Sequence, residues 1–178
     1  MVAVFLAAGF EEIEALAVVD ILRRADLKVI TVGIGGRAVK GAHGITVAAD
    51  AEETEFTDDG LEAVVLPGGM PGTLNLERSP VVQRCLDVAV ERGLPICAIC
   101  AAPSILGHRG LLNGREAVCF PGYEQGLTGA KISSSSVAGD GQFITAKGAG
   151  AALEFGFRIV ERLVSAERAE SIRAAMQC

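Results

Sequence analysis

The stretch of sequence that decides the fold is Leu94-Pro95-Ile96-Cys97-Ala98-Ile99-Cys100-Ala101-Ala102-Pro103. Its first six residues are an almost unbroken apolar run, which is typical of a strand buried on both faces of a parallel sheet. Small residues follow Cys100, and Pro103 is tolerated in the first turn of a helix, so a helix is predicted over Ala101–His108. A buried strand that leads directly into a helix is the repeating unit of α/β folds.

Outward from this stretch, apolar runs alternate with amphipathic segments along the whole chain. The other predicted strands are Val2–Ala7, Lys28–Ile34, Leu61–Leu66, Glu116–Phe120 and Gln142–Ala146, and the other predicted helices are Glu11–Ala25, Val81–Arg92 and Ala151–Val164. Residues 37–49 are predicted to form a small hairpin with residues 40–44 at its tip. We therefore predict one α/β domain over residues 1–178, a flavodoxin-like doubly wound sandwich whose mostly parallel sheet carries helices on both faces. In such folds the active crevice lies at the carboxyl ends of the strands.

The composition excludes several classes of partner. Of the 178 residues, 50% are hydrophobic, which is enough for a sizeable core, and the formal net charge is −6. Aromatic residues are few and no basic stripe is present, so the sequence excludes nucleic acid as a partner. No apolar run is long enough to span a bilayer, and no basic residue precedes the apolar N-terminus, so we expect a cytoplasmic protein with no membrane partner.

The five cysteines do not indicate a disulfide framework. An odd number of cysteines in a chain without a leader is typical of reduced thiols, most of which pack as small hydrophobes. Cys97 and Cys100 form a Cys-x-x-Cys string, but in thioredoxin-like pairs the helix begins at the first cysteine, whereas here it follows the second. On an extended strand the two side chains point to opposite faces, about 10 Å apart along the chain, which is too far for a disulfide. Cys97 is therefore predicted to pack in the core.

Cys100 is the candidate nucleophile. It lies at the end of a predicted strand, where a sharp turn into a helix lifts the side chain clear of the backbone. Free backbone N–H groups and the positive end of the helix at such a turn favour the thiolate, which is the reactive form of cysteine. A buried structural cysteine is the alternative interpretation, and the position at a strand end favours the functional one.

Glu14 is the candidate partner of Cys100. On a helical wheel it falls within the apolar arc of the first helix, whereas Glu12 falls on the polar side. The other members of that arc are Ala17, Val18, Ile21 and Ala25. A carboxyl group that faces the sheet is costly without a partner, and burial raises its pKa, so that it can hold a proton near neutral pH. Because this helix follows the first strand, Glu14 is expected at the same sheet edge as Cys100, while Glu11 and Glu12 need no role beyond favouring the helix N-terminus.

With these residues in place, the chain resembles the DJ-1/ThiJ/PfpI family over nearly its whole length. The stretches that carry the resemblance are 8–14 (Ala-Gly-Phe-Glu-Glu-Ile-Glu), 65–69 (Val-Leu-Pro-Gly-Gly), 96–103 (Ile-Cys-Ala-Ile-Cys-Ala-Ala-Pro) and 147–150 (Lys-Gly-Ala-Gly) with Glu154-Phe155. The resemblance implies a flavodoxin-like fold in which Cys100 occupies a strained elbow and Glu14 is hydrogen-bonded to it. It also implies that the backbone N–H groups of Gly69 and Ala101 hold an oxyanion or an oxidised sulfur.

The resemblance further implies an activity and an assembly. Members of the family are associated with glyoxalase activity without an added cofactor, with repair of early glycation adducts, with chaperoning and with sensing of oxidants. A small carbonyl compound or a glycated protein is therefore the expected substrate. Members are usually homodimers, and the apolar residues Ile13 and Leu16 on the outer face of the first helix permit such a contact.

The chain departs from the family pattern at one histidine. Members with a clear Cys-His pair carry a histidine immediately before the proline that is here Pro121, and this chain has Phe120 there. His108 lies about 12 Å along its helix from Cys100 and is not expected to act as its base. Loss of the histidine disfavours protease or amidase activity, because acyl transfer needs a general base and an acid for the leaving group.

Three residues are candidates for lining the pocket. Phe120 takes the place of the missing histidine, and Tyr123 follows it in a loop. His43 lies at the hairpin tip, which in dimeric relatives approaches the neighbouring subunit's site through a basic residue. A solvated turn residue is the alternative interpretation of His43.

No metal or cofactor site is expected from the sequence. Pro67-Gly68-Gly69 is not followed by the Gly-Lys-Ser/Thr of a P-loop, and no Gly-x-Gly-x-x-Gly follows the first strand. Two distant histidines do not suggest metal ligation. Two hypotheses therefore remain: a cofactor-free enzyme that acts on 2-oxoaldehydes or their adducts through Cys100, and a redox-responsive chaperone or sensor in which Cys100 is oxidised to a sulfinate.

Overall fold

Strand β1 (Val2–Ala7) lies inside a seven-stranded sheet, and all six of its residues are buried. The computed structural model describes all 178 residues. Alternate residues of β1 enter two separate cores, because successive side chains of a strand point to opposite faces. Val2, Val4 and Leu6 pack into one core, and Ala3, Phe5 and Ala7 pack into the other. The sheet is therefore covered on both sides, as the continuous apolar runs predict.

The main sheet is mostly parallel. Its other strands are β2 (Val29–Ile34), β5 (Ala51–Glu52), β6 (Ala63–Leu66), β7 (Ile96–Ile99), β10 (Val137–Asp140) and β11 (Phe143–Ala146). They lie in the order β10-β11-β7-β6-β1-β2-β5, and only β10 runs antiparallel to its neighbour. Two small sheets lie outside it: the expected hairpin of β3 (Ala38–Lys40) and β4 (Thr46–Ala48), and the pair β8 (Glu116–Ala117) and β9 (Lys131–Ile132). The predicted flavodoxin-like α/β fold is confirmed.

Six helices cover the two faces of the sheet. They are α1 (Glu12–Arg24), α2 (Gly72–Arg78), α3 (Pro80–Arg92), α4 (Pro103–His108), α5 (Ala152–Leu163) and α6 (Ala166–Ala175). Apolar residues of α1, α5 and α6 build one core, and those of α2, α3 and α4 build the other. No helix has both the length and the apolar content that crossing a membrane requires.

Several boundaries differ from the prediction. The predicted strand Glu116–Phe120 is only two residues long and pairs with β9 rather than entering the main sheet. The helix after Cys100 begins at Pro103, because residues 100–102 form a turn. The α5 segment is not the last helix, since Ser165 accepts a hydrogen bond from the Arg168 N–H and begins α6. The short elements β5, β9, β10 and α2 were not expected from the sequence.

The strand order places the carboxyl ends of β1, β6 and β7 side by side. From β1 the chain proceeds to β2 on one side, whereas from β6 it proceeds to β7 on the other. The sheet therefore has its topological switch point between β1 and β6, where doubly wound folds form a crevice. Helix α1, the loop after β6 and the turn after β7 all begin at this edge.

Candidate active site

Cys100 occupies a strained turn directly after β7. Its φ angle is 64°, which is a left-handed conformation that few non-glycine residues adopt. Two hydrogen bonds hold the peptide units around it: its N–H donates to the Ala146 carbonyl at 2.9 Å, and its own carbonyl accepts from the Phe120 N–H at 2.8 Å. Strain of this kind persists only where the surroundings fix it, and it clusters at functional sites. The structure thus forms the elbow that the sequence predicts at Cys100.

Two backbone amides point at the Cys100 sulfur. They are the N–H groups of Gly69 and Ala101, the same pair that the family resemblance implies. Ser104 fixes one side of this arrangement, because its buried hydroxyl donates a 2.7 Å hydrogen bond to the Ala101 carbonyl. Helix α4 has only six residues and begins beyond the turn, so these amides, rather than a helix end at residue 101, provide the positive field at the sulfur.

Glu14 lies beside Cys100 and is almost completely buried, with 1% of its surface exposed. Its Oε2 accepts a 2.8 Å hydrogen bond from the Gly68 N–H. Its Oε1 is buried without a hydrogen bond of good geometry, and the Cys100 thiol is the side-chain group that interacts with the carboxyl. The sequence thus placed Glu14 correctly on the sheet-facing side of α1.

Gly68 makes this close approach of Cys100 and Glu14 feasible. A Cβ atom at position 68 would lie 2.6 Å from the Cβ of Cys100 and 2.7 Å from Oε2 of Glu14. Both distances are well inside van der Waals contact, so only a residue without a side chain fits between the two. The role of Gly68 was not predicted, and the signal for it in the sequence is the pair of glycines that follows the buried strand β6.

Burial sets the protonation behaviour of Glu14. Removal from water raises the pKa of Glu14 to about 7, and the negative charge of Glu11 adds to this, while the Gly68 N–H and the Cys100 thiol act in the opposite direction. The expectation that Glu14 can hold a proton near neutral pH therefore agrees with its surroundings.

The expectation that the surroundings of Cys100 favour the thiolate was wrong, because together they raise the pKa of its thiol. Burial and then the negative charge of Glu14 raise the pKa of the Cys100 thiol to about 12, and the amides of Gly69 and Ala101 only partly oppose this. The amides were expected to favour the thiolate, whereas desolvation and the ionised carboxylate, which oppose it, arise only from contacts of the folded chain. The charge on Glu14 disappears when Glu14 is protonated, so the ionisation of each group depends on that of the other.

Glu12 and His43 join the hairpin to the start of α1. Glu12 is 4% exposed and accepts hydrogen bonds from the backbone N–H groups of His43 and Ile45, at 2.9 and 3.3 Å. The imidazole Nδ1 of His43 lies 3.0 Å from Glu12 Oε2 and 3.4 Å from Glu11 Oε1. The wheel assignment of Glu12 to the solvent side was wrong, because the hairpin, which is distant in sequence, covers that side of the helix.

The same contacts form an acidic cluster that the sequence did not reveal. Glu11, Glu12 and His43 each place one potential metal ligand within 4.8 Å of the others. Both oxygens of Glu12 are already hydrogen-bonded to the hairpin. We therefore assign these residues to holding the hairpin rather than to a metal site.

The other candidate residues lie in different parts of the structure. Phe120 is 47% exposed, and the edge of its ring packs against Tyr123 with the ring centroids 6.4 Å apart. Tyr123 does not line the cavity beside Phe120, so its assignment as a pocket residue is not supported. His108 ends α4 on the surface and pairs with Glu77 at 2.6 Å, which agrees with its exclusion as the base for Cys100.

Comparisons with known proteins agree with this arrangement. The sequence model described as the DJ-1/PfpI family matches residues 1–162. The chain is 35% identical to the Parkinson disease protein 7 homolog of Danio rerio, over 97% of this chain and 94% of that protein. It is 33% identical to the glutathione-independent glyoxalase DJR-1.2 of Caenorhabditis elegans, over 91% of this chain and 87% of that protein. The structure of oxidized DJ-1 from Toxoplasma gondii superimposes with a TM-score of 0.95 at 30% identity, covering 99% of this chain and 97% of that one.

Proposed function

Because the chain belongs to the DJ-1/PfpI family, we propose that it is a cofactor-free enzyme that converts 2-oxoaldehydes such as methylglyoxal to 2-hydroxy acids through Cys100. Early glycation adducts, in which C1 of the same 2-oxoaldehyde is bonded to an amine or a thiol, are a second substrate class for the same site. The observation that carries the proposal is the pairing of Cys100 with a buried Glu14 whose pKa is raised to about 7. Such a group can both give and take a proton at neutral pH.

The first step is addition of the sulfur to the aldehyde. The proton shared by the pair resides on Glu14 while the Cys100 sulfur attacks C1, forming the S–C1 bond of a hemithioacetal. The aldehyde oxygen becomes an oxyanion at this stage and takes the proton from Glu14, which leaves Glu14 as a carboxylate. The N–H groups of Gly69 and Ala101, which point at the sulfur in the free protein, are placed to stabilise that oxygen as its charge develops.

The second step is an internal oxidation and reduction. The Glu14 carboxylate takes the proton from C1 and returns it to C2, while the proton of the C1 hydroxyl passes to the C2 oxygen, so that C1 becomes a thioester carbonyl and the C2 ketone becomes an alcohol. C1 loses two electrons and C2 gains them, so no external oxidant is needed. Water then hydrolyses the thioester, which releases the 2-hydroxy acid and restores the Cys100 thiol.

Phe120 favours this chemistry over peptide or amide hydrolysis. Phe120 occupies the position where some relatives of this family pattern carry a histidine, and neither histidine of the chain approaches Cys100. An amine leaving group needs an acid positioned beside it. Addition to an aldehyde expels no leaving group, and the one proton transfer at carbon falls to Glu14.

The proposal is tested by measuring lactate formed from methylglyoxal in a buffer free of amines and thiols. We expect turnover by the wild type, none by Cys100→Ser, and a loss of about a hundredfold or more for Glu14→Gln. Glu62→Gln, an exposed glutamate whose carboxylate pairs with the N-terminus, is the matched control. Equal lactate formation by the wild type and Cys100→Ser would contradict the proposal.

A redox-responsive role is the second candidate. The amides of Gly69 and Ala101 would equally hold the oxygens of a sulfinate, and the Toxoplasma gondii relative is described as oxidized. Each of two oxidation steps consumes one peroxide and releases one water, first to the sulfenic and then to the sulfinic acid. If no lactate forms, addition of two oxygen atoms to Cys100 alone after mild peroxide, measured by mass spectrometry, supports this role.

We also propose that the chain forms a homodimer through the outer face of α1. Ile13 is 57% exposed and Leu16 lies on the same face, while Ile45 of the adjoining hairpin is exposed as well. Together they form an apolar surface next to the candidate site, which favours pairing with a second copy.

A further inference from the structure

A cavity of about 390 Å³ lies between the Phe120–Pro121 turn and residues 147–151. Its walls include Phe120 and Gly148, and a Cβ atom at Gly148 would lie 3.1 Å from the Phe120 ring and 3.9 Å from Oε1 of Glu14. Gly148, which lines the cavity, therefore lies close to the carboxyl oxygen that lacks a hydrogen bond of good geometry. The volume falls within the range of small-molecule sites, roughly 300–1,000 Å³.

The exposed wall of this cavity is mostly apolar. Phe120, Pro121, Ala149 and Ala151 supply hydrophobic surface, and glycines without side chains keep the space open. Lys147 and Ser136 are its polar lining residues, and both are exposed to solvent. A methyl group fills only a small part of such a space, whereas an aromatic ring can stack on or pack edge-to-face against Phe120.

Phe120 is also fixed relative to the reacting sulfur. Its backbone N–H donates the 2.8 Å hydrogen bond to the Cys100 carbonyl. This bond fixes the backbone from which the aromatic side chain extends next to the turn at Cys100. Because Phe120 is hydrogen-bonded to Cys100 and Gly148 lies close to Glu14, the cavity that these two residues line adjoins both groups of the proposed reaction.

From this arrangement we propose that the cavity selects 2-oxoaldehydes with a bulky apolar or aromatic substituent and that Phe120 determines this specificity. The inference rests on the proposed function and adds the substrate class. The chemistry is unchanged: phenylglyoxal and water give mandelate by the same proton transfer from C1 to C2 and the same thioester hydrolysis.

The test compares initial kcat/KM values for phenylglyoxal and methylglyoxal. We expect the wild type to prefer phenylglyoxal by about tenfold or more, and Phe120→Ala to lower this ratio by about tenfold, because an apolar pocket discriminates by contacts of that size. Ala149→Leu, which adds a larger side chain at a residue that lines the cavity, should lower the ratio in the same way. Val90→Ala, which removes an exposed apolar side chain from α3, is the control and should leave the ratio unchanged.

An assay without turnover separates this inference from the proposed function. The rate of S-alkylation of Cys100 by N-phenyl iodoacetamide, relative to iodoacetamide, should be high in the wild type and fall in Phe120→Ala. If no aldehyde is converted but this alkylation preference is present, the cavity assignment stands and the enzymatic proposal fails. If methylglyoxal is converted with no preference for phenylglyoxal, or if Phe120→Ala leaves the ratio unchanged, the cavity assignment is overturned and the enzymatic proposal stands.

Discussion

The Gly68 N–H donates a 2.8 Å hydrogen bond to Oε2 of Glu14, which joins the loop after β6 to helix α1 over 54 residues of sequence. This bond leaves Oε1 as the oxygen that can carry a proton in the buried carboxyl group. The position of that proton links the stability of the fold to the reactivity of Cys100, and both can be measured.

Glu14 makes the folded state less stable at high pH. Its pKa is raised from an ordinary value of 4.5 to about 7, so between these values the folded chain keeps a proton that the unfolded chain has released. The free energy of unfolding therefore falls as pH rises through this window, and the loss is complete above about pH 7 at roughly 3 kcal/mol. Urea unfolding of the wild type and Glu14→Gln from pH 4 to 8 should show this difference, since glutamine has no proton to lose. Parallel stability curves for the two proteins would refute the assignment.

The reactivity of Cys100 should follow the titration of the pair. In a Cys178→Ser background, which removes the exposed thiol, alkylation of the wild type by iodoacetamide is expected to rise with a midpoint near pH 7, as the pair loses its first proton. Glu14→Gln should lack this midpoint and rise only with ionisation of the thiol itself. The rate of alkylation is measured by mass spectrometry of the intact protein. An identical pH profile in the two proteins would show that Glu14 and Cys100 do not share a proton.

Gly68→Ala should damage both stability and reactivity. The added Cβ lies 2.6 Å from the Cβ of Cys100 and 2.7 Å from Oε2 of Glu14, so the elbow and α1 must move apart. We expect a loss of about 1–3 kcal/mol in urea unfolding, as for other overpacked sites, together with slower alkylation of Cys100. Gly139→Ala is the control, because its Cβ meets only ordinary contacts, at 3.7 Å from Arg158. If both variants behave like the wild type, Gly68 is not what sets the approach of the two groups.

The proposed dimer can be tested with a charge on α1. Ile13→Asp should convert a dimer to a monomer in analytical ultracentrifugation, because a carboxylate is costly in an apolar interface. Ile132→Asp is a matched control, since Ile132 is 50% exposed and Ile13 is 57% exposed. A wild type that sediments as a monomer, or dimer loss in both variants alike, would contradict an interface at α1.

The sequence predicted the parts of the fold that depend on long apolar runs. Strands such as β1 and β7 are continuously hydrophobic and were located to within two residues, whereas β10 contains Gly139 and Asp140 and has little intrinsic preference for a strand. It exists because β11 provides a partner for its backbone. Such tertiary contacts are not visible in local composition.

In the candidate site, too, some features could be predicted from the sequence and others could not. The position of Cys100 in a turn at a strand end and the inward orientation of Glu14 followed from sequence position and periodicity, and both agree with the structure. The catalytic roles of the two residues stay predictions. The burial of Glu12 could not be predicted, because it depends on a hairpin about thirty residues further along the chain. The raised pKa of the Cys100 thiol was also missed, since it arises from desolvation and a neighbouring charge, which are known only once the chain has folded.

The elbow at residue 100 is held through its peptide groups rather than through its side chain. The Ala146 carbonyl and the Phe120 amide fix the backbone before and after the sulfur. The backbone conformation of this turn therefore does not depend on the side-chain atom at position 100. A serine or selenocysteine at this position would point its side chain in the same direction. Protein engineers could use this turn to exchange one reactive side chain for another at a fixed position.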